Sequence, residues 1–237
     1  MEAPSERRTA RLLHPAYGAS PPAPNRPSHG PPRLVRAMDP LSALRADVRR
    51  TYDLLDGGRL RRTVNCARSP GVQAVAVYRF GQWAAARPVL LRIFLDPLFL
   101  LGQFVVRALW GIEIPRRARI GPGFYIGHFG GITISPLAVI GAHCSISPSI
   151  TIGMSGYGDR LGVPVIGDNV YIAPGARIFG KVRVGNNVKI GANAVIHKDV
   201  PDNAVVVLDP GFRIVSYAGN TPPAGQTKAP EKVDLAA

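Results

Sequence analysis

Aliphatic residues recur at every sixth position over the central part of the chain. The run slips in phase by two residues after Ile132, and it is interrupted once, at residues 153–165. An α-helix would repeat its apolar positions every 3.6 residues, and an ordinary strand every second residue. A sustained period of six therefore predicts a left-handed parallel β-helix of hexapeptide repeats over residues 114–201. The residues expected to point inward are Ile114, Ile120, Ile126, Ile132, Ile134, Ile140, Ile146, Ile152, Ile166, Ile172, Ile178, Val184, Ile190 and Ile196.

Small residues at fixed places within the hexads support the same architecture. Glycine directly follows the aliphatic residue in many hexads. A small or apolar residue stands four positions after the aliphatic residue, as at Cys144 and Ala176. This pattern suits a triangular coil with one aliphatic side chain pointing inward from each side and a tight corner between sides. The interruption at residues 153–165 is polar and rich in glycine, which predicts a loop. Such an insertion in a solenoid often forms the binding face.

An α-helical region, residues 38–113, is expected to precede the β-helix. Residues 39–65 have helical apolar spacing, with Asp39-Pro40 as cap and first turn and Gly57-Gly58 as the stop. A second helix is predicted from Gly71 to about Ala86.

Residues 88–110 form the most apolar segment of the chain. Its length would reach across a bilayer, but Arg92, Asp96 and Arg107 are each costly at membrane depth. Asp96-Pro97 resembles a cap and first turn, so the segment is expected to divide into two helices. The polar residues would share one narrow stripe with Gln103. This pattern favours a buried helix pair in an oligomer, with a membrane-surface helix as the alternative.

The two ends of the chain are expected to be disordered. Residues 1–37 are rich in Pro, Arg, Ser and Ala and have no apolar period. They contain no apolar stretch of the kind found in secretory signals, although their Arg-rich, acid-poor composition also suits a transit peptide. Residues 202–237 are expected to form a C-terminal segment that ends in a disordered tail.

Charge and cysteine content exclude some classes of protein. The chain has 29 basic and 15 acidic residues, a formal net charge of +14. The surplus is diffuse and lacks interleaved aromatic residues, so it indicates nucleic-acid binding only weakly. It suits a polyanionic ligand or an anionic membrane equally well. Two cysteines, Cys66 and Cys144, exclude a disulfide scaffold and a Cys-based zinc site, and reduced thiols suit a cytoplasmic protein.

Several short segments narrow the interpretation beyond the hexapeptide pattern. They are Gln73-Ala74 to Tyr78-Arg79 with Trp83, Gly111-Ile112-Glu113-Ile114-Pro115, Ala118-Arg119-Ile120-Gly121-Pro122-Gly123, Gly127-His128-Phe129-Gly130-Gly131-Ile132, Gly158-Asp159-Arg160 and Lys189-Ile190-Gly191-Ala192-Asn193-Ala194-Val195-Ile196. Together with a helical region before a looped-out β-helix, they resemble the serine O-acetyltransferases of the hexapeptide-repeat acyltransferase superfamily, especially the shorter bacterial type. The resemblance covers residues 39 to about 218.

The resemblance implies a reaction and the residues that perform it. His128 takes the position of the general base, and Glu113 takes that of the acidic residue that orients it. Asp159 and Arg160 take positions in the substrate loop. Acetyl-CoA would be the co-substrate, with no metal, and would lie between neighbouring subunits of a homotrimer or a dimer of trimers. The candidates for contact with acetyl-CoA are Ala192, His197, Lys198 and Arg213.

The chain departs from the family pattern mainly where the acceptor would bind. Leu161 replaces the second His of the Gly-Asp-Arg-His loop, and Gly127 replaces the Asp before the base. Ser135-Pro136-Leu137 stands in place of Gly-Glu-Thr, and the terminal Ile by which such enzymes dock cysteine synthase is not seen. Acetyl transfer to L-serine, for cysteine biosynthesis, is the expected function. Transfer to a sugar or exopolysaccharide hydroxyl is the alternative.

Two other classes of protein share the β-helix. A β-helix carbonic anhydrase would need three His side chains on zinc, and the spacing of His128, His143 and His197 does not suit this. A non-enzymatic scaffold would not require His128 together with Glu113. Zinc content and thioester cleavage would distinguish these classes.

Overall fold

The computed structural model describes residues 38–208. The predictions made for residues 1–37, for Arg213 and for the C-terminal tail lie outside this part of the chain. Four helices come first: α1 (Pro40–Asp53), α2 (Arg59–Arg68), α3 (Pro70–Ala85) and α4 (Val89–Trp110).

Helix α1 begins where the sequence predicts. Asp39 caps it, because its side chain accepts a hydrogen bond from the backbone N of Ser42 at 3.1 Å, and Pro40 occupies the first turn. The helix ends at Asp53, and Gly57-Gly58 separates it from α2, which the sequence did not predict as a separate helix. The reason is that α2 is largely polar and buries only Cys66, so it has no apolar period to detect.

The prediction that residues 88–110 divide at Asp96-Pro97 is wrong, because α4 is one helix with Pro97 inside it. Proline removes a single backbone N–H, and other contacts hold the helix together here. The Asp96 carboxylate pairs with Arg116 at 2.6 Å and with Arg92 at 3.4 Å. One turn later Phe99 is buried, and it packs against α3.

The rest of the described chain is a left-handed parallel β-helix, as the period of six predicts. Its strands extend beyond the predicted bounds of 114–201, because residues 112–113 and 205–206 also pair with neighbouring coils. Its strands form three parallel sheets, here named A, B and C, and the chain passes through them in that order in each coil. Sheet A contains β1 (Ile112–Glu113), β4 (Ile132–Ile134), β7 (Thr151–Gly153), β10 (Arg177–Phe179) and β13 (Val195–Ile196). Sheet B contains β2 (Arg119–Ile120), β5 (Val139–Ile140), β8 (Val165–Ile166) and β11 (Arg183–Val184). Sheet C contains β3 (Tyr125–Ile126), β6 (Ser145–Ile146), β9 (Tyr171–Ile172), β12 (Lys189–Ile190) and β14 (Val205–Val206).

The three sheets enclose a triangular prism, and the core of this prism confirms the predicted inward positions. Every aliphatic residue of the six-residue series is buried, from Ile114 to Ile196, and those of the middle coils have almost no exposed surface. Between neighbours of this series, side chains such as Tyr171 and Val195 point outward. The coils differ in length: Ile112 pairs with Ile132, Thr133 with Thr151, Thr151 with Arg177, and Arg177 with Val195. The first coil is therefore two residues longer than the regular one.

Helix α3 closes the first end of the prism. The carbonyl groups of β2 have no preceding coil to bond, and an unpaired strand edge must be covered. The Tyr78 hydroxyl donates to the carbonyl of Ala118 at 2.7 Å, and the Arg79 guanidinium donates to those of Ile120 and Gly121 at 2.8 and 2.7 Å. Burial raises the pKa of Tyr78 to about 12, so its hydroxyl stays protonated and keeps donating.

Three corners run along the prism. Corner CA is where the chain leaves sheet C and enters sheet A, corner AB is where it passes from sheet A to sheet B, and corner BC completes the coil. These corners carry every candidate site residue of the β-helix except Glu113, which lies on a strand.

Candidate functional site

His128 lies at corner CA, exposed, in the segment that joins β3 to β4. This segment holds the two additional residues of the first coil, and Gly130 and Gly131 both take positive φ angles of 106° and 65°. The carbonyl of Gly130 accepts a hydrogen bond from Ser149 N at 2.7 Å, and Ile132 N donates to the carbonyl of Gly111 at 3.0 Å. The loop that carries His128 is therefore fixed from both sides.

An aromatic pair borders this loop. The rings of Trp110 and Phe129 meet edge to face with centroids 5.1 Å apart, and Phe129 remains 50 % exposed. The Trp110 indole N–H donates to the side-chain oxygen of Gln73 at 3.0 Å, which fixes the ring against α3. The six-residue pattern does not predict this pair. The aromatic residue directly after His128 was the available signal.

Glu113 lies on the first strand of sheet A and is not bonded to His128. It belongs to β1 and is in register with Thr133 of β4. Its neighbours Ile112 and Ile114 are buried, so the half-buried carboxylate faces the outer surface of sheet A. His128 lies at the edge where the chain enters that sheet. Within residues 38–208, no hydrogen bond joins the two side chains, so the expected dyad is not closed in this structure.

Ala192 lies at the same corner as His128, three coils further along the prism. The corner between them is continuous, because Gly175 N donates to the carbonyl of Pro148 at 3.0 Å and Asn193 N donates to that of Pro174 at 2.9 Å. Three coil spacings amount to roughly 14 Å. The residues along this column are mostly small, and a side chain added at Gly130 would meet no atom within 4 Å. Corner CA therefore forms a track of mostly small residues next to the His128 imidazole, open at Gly130.

The predicted substrate loop leaves the prism at corner AB instead. Ser155 and Gly162 close its base by exchanging both backbone hydrogen bonds at 3.1 Å, and Gly158–Arg160 forms a turn of 3₁₀-helix at its tip. Asp159 is exposed, and its carbonyl accepts from Lys181 Nζ at 3.4 Å.

His197 and Lys198 are exposed at corner AB as well, directly after β13. The predicted site residues thus form two groups on one chain. His128 and Ala192 share corner CA, whereas Asp159, Arg160, His197 and Lys198 share corner AB, and sheet A lies between the groups.

Two of the positions that depart from the family pattern, Gly127 and Leu161, are structurally permissive. A Cβ at Gly127 would approach no atom closer than Tyr125 Cε1 at 3.5 Å, an ordinary contact, and the φ of Gly127 is not positive. Leu161 is half-buried directly after the 3₁₀ turn and has an extended backbone. Between residues 38 and 208, no three His, Cys, Asp or Glu side chains come together as metal ligands would.

Comparison with known proteins identifies the relatives of this chain. Residues 164–198 match the family model described as bacterial transferase hexapeptide (six repeats). The serine acetyltransferase of Synechococcus elongatus is 32% identical over 164 residues, which are 68% of this chain and 64% of that protein. The chain thus spans less than two thirds of the length of that curated relative.

Solved structures of serine acetyltransferases share the fold. The enzyme of Neisseria gonorrhoeae in complex with serine is 30% identical with a TM-score of 0.59, and the match covers 73% of this chain and 68% of that one. A serine acetyltransferase in complex with CoA is 25% identical with a TM-score of 0.58, over 73% of this chain and 68% of that one. With the predicted β-helix, the looped coil and the His128 corner all in place, the chain belongs to the serine acetyltransferase family.

Proposed function

We propose that this protein is an acetyl-CoA-dependent O-acetyltransferase that acetylates the hydroxyl of L-serine to give O-acetylserine, a precursor for cysteine synthesis. The observation that carries the proposal is the exposed His128 imidazole in the lengthened first coil, beside a track of mostly small residues along corner CA. The relatives that bind serine and CoA support the same reaction.

His128 acts as the general base in the proposed reaction. Its neutral imidazole takes the proton of the acceptor hydroxyl while that oxygen attacks the thioester carbonyl. The tetrahedral intermediate then collapses, the C–S bond breaks, and the imidazolium returns the proton to the departing thiolate. The products are the acetyl ester and free CoA, and His128 is neutral again.

Glu113 is proposed to orient the imidazole and to stabilise its transient positive charge. A carboxylate at the second ring nitrogen fixes the tautomer in other His–acid pairs. Glu113 and His128 are not bonded in the free chain, so the proposal includes closure of this pair when both substrates are present. Geometry in a free site is often looser than in the reacting complex.

The separation of the site residues leads to a proposal about assembly. Ala192 is proposed to contact the acyl-carrying arm on the chain that contributes His128. Asp159, Arg160, His197, Lys198 and Arg213 are proposed to serve the site of a neighbouring subunit, because all those of the described part lie beyond sheet A. A homotrimer, or a dimer of such trimers, would bring corner AB of one subunit to corner CA of the next.

Mixed oligomers test this shared site. One variant carries His128→Ala, and the other carries Asp159→Ala with Arg160→Ala; each alone should be nearly inactive. Co-expressed chains should regain about a quarter of wild-type activity, which is the chance that random assembly unites two intact halves. The same variants mixed after purification serve as the control for subunit exchange. A stable monomer in light scattering, or no recovery in co-expressed oligomers, would refute the shared site.

Acetylation of a sugar or exopolysaccharide hydroxyl is the second candidate, and Leu161 and Gly127 favour it. A leucine neither donates a hydrogen bond nor carries charge, so an amino-acid acceptor loses a partner here. An acceptor screen decides between the two: acetyl-CoA is supplied with L-serine or with a panel of sugars, and free thiol is followed. Thiol release with a sugar but not with L-serine would overturn the serine proposal.

A further inference from the structure

Helix α4 has its polar side turned toward the protein and its apolar side turned outward. Arg92, Asp96 and Gln103 are half-buried and lie on the same stripe as the buried Phe99 and Val106. Phe99 and Val106 are the only buried residues of α4. A helix that packs on a soluble core normally shows the opposite arrangement.

The outward side of α4 is an apolar surface, here called the α4 patch. Its large apolar residues are each 40–78% exposed. At such exposure each contributes on the order of 100 Å², so the patch exceeds the roughly 300–600 Å² of the largest apolar patch on a typical monomer. The patch consists of Val89, Leu90, Leu91, Ile93, Phe94, Leu98, Leu100, Leu101, Phe104, Val105 and Leu109.

The charges around the α4 patch are positive. Arg87 precedes the helix and Arg107 is in its last turn, both exposed, while Arg92 and Arg116 lie along its inner edge. The only carboxylate on the helix is Asp96, and it already pairs with both of these inner arginines. An apolar helix face with a basic border complements an anionic lipid surface.

The shape of the patch favours lipid over a second copy of the chain. The inward stripe covers roughly 120° of the helix, so the apolar arc spans roughly 240°. One neighbouring helix would cover only another narrow stripe of this arc, and two copies would also bring their basic borders together. A lipid surface covers a wide arc at once and neutralises the border.

If α4 binds a membrane, its contacts with α3 require it to lie in the membrane plane rather than across the bilayer. By length and composition alone, α4 would reach across a membrane. However, it runs back along α3: Phe99 packs on Gly81, Val77 on Gly102, and Trp110 bonds Gln73. A spanning α4 would pull α3 and its buried Arg79 into hydrocarbon, which is prohibitively costly.

From these observations we infer that the α4 patch is a peripheral membrane-binding surface that selects anionic lipid. The inference goes beyond the proposed reaction, since none of the patch residues belongs to either group of site residues. It places the enzyme at a membrane with α4 in the interface and the β-helix in water.

Vesicle co-sedimentation of the full chain tests this inference. Phosphatidylcholine vesicles are compared with vesicles of phosphatidylcholine and phosphatidylglycerol. Binding to the anionic vesicles should be stronger by about tenfold or more at low salt, and it should weaken as salt is added. A triple variant, Leu90→Glu with Phe94→Glu and Leu101→Glu, should abolish binding, because it places three carboxylates on the surface that would enter the lipid. The variant should still fold, because all three side chains are exposed.

A matched variant separates the patch from general charge. Leu54→Glu, Leu60→Glu and Val205→Glu place three carboxylates at equally exposed apolar positions elsewhere, and this variant should still bind. Circular dichroism and thermal unfolding confirm that both variants are folded. Equal loss of binding in the two variants, or no binding by the wild type, overturns the inference. An oligomer that the α4 variant dissociates, with no vesicle binding by the wild type, assigns the patch to a second copy instead.

Discussion

Asp47 of α1 and Arg79 of α3 form an ion pair of 2.9 Å in which both side chains are almost fully buried. The second oxygen of Asp47 accepts the backbone N–H of Phe124 at 2.7 Å, and Arg79 also bonds two carbonyls of the first coil. One polar cluster therefore joins α1 and α3 to the first coil of the prism.

Removing the arginine from this cluster should be costly. Arg79→Met would leave the Asp47 carboxylate buried without its partner, and the expected loss of stability is about 3–5 kcal/mol. Arg49→Met is the matched control, because Arg49 and Asp53 form an exposed pair at 3.9 Å worth at most about 0.5 kcal/mol. Urea unfolding measures both. Similar losses in the two variants would show that the buried cluster does not hold the helices to the prism.

The inward and outward positions of sheet A should respond differently to a carboxylate. Ile178 of β10 is fully buried, whereas Val195 of the neighbouring strand β13 is 49% exposed. Ile178→Asp should prevent folding, because a buried unpaired charge costs several kcal/mol, on the order of the whole stability. Val195→Asp should leave the protein folded. Circular dichroism of both variants tests the expectation, and a folded Ile178→Asp protein would contradict the predicted core.

The proposed base should account for much of the rate. His128→Ala is expected to lower turnover by about 10²–10⁴-fold, the usual contribution of a positioned base. Acetyl-CoA binding should be nearly unchanged, since the track along corner CA remains. Glu113→Gln should lower turnover less. His143→Asn is the control at corner BC, where asparagine tolerates the positive φ of 56°. If His128→Ala keeps the wild-type rate in a thiol-release assay, another group is the base.

The two departures in the acceptor region should affect the use of serine. Leu161→His would restore a charge-assisted hydrogen bond worth roughly 1.5–3 kcal/mol, so the Michaelis constant for L-serine should fall by about 10–150-fold. Gly127→Asp tests the other position, where a side chain meets only an ordinary contact. Steady-state kinetics with L-serine and with sugars provide the measurement. A wild-type enzyme already saturated by low micromolar L-serine would show that Leu161 is irrelevant and would remove the sugar alternative.

The two cysteines should be silent in such thiol assays. Both are free and buried, and burial raises the pKa of each thiol, that of Cys144 to about 11. Because thiolate is the reactive form, on the order of one in ten thousand Cys144 side chains would be reactive at pH 7. A thiol dye should label the folded chain slowly and both cysteines rapidly in denaturant. Rapid labelling of the folded protein would contradict the buried positions.

The sequence predicted the β-helix closely because each side of a coil repeats one physical requirement. An aliphatic residue must point inward on every side, so the period is visible without any structure, and Ile114 to Ile196 are all buried as expected. The phase slip after Ile132 also had a structural meaning. It is the two-residue extension of the first coil, and this extension carries His128.

Other features could not be predicted because they depend on contacts between distant segments. Glu113 lies on β1 and His128 in the lengthened corner that leads to β4, so the relative position of their side chains is set by that loop rather than by the six-residue period. Pro97 suggested a helix break, whereas the ion pairs of Asp96 with Arg92 and Arg116 support a single helix. The inward polar stripe of α4 became visible only when its packing on α3 was known.

The closed base of the substrate loop has a consequence for how such enzymes diversify. Ser155 and Gly162 lock the two ends of the insertion, and the strands on either side keep the same parallel register across it. The insertion is thus accommodated without a change in the pairing of the strands on either side. Under the proposed acceptor role of this loop, a short cassette of sequence could be exchanged to change the acceptor, while the scaffold that carries the proposed base stays untouched. Exchange of this cassette with a relative is a direct route to altered acceptor choice.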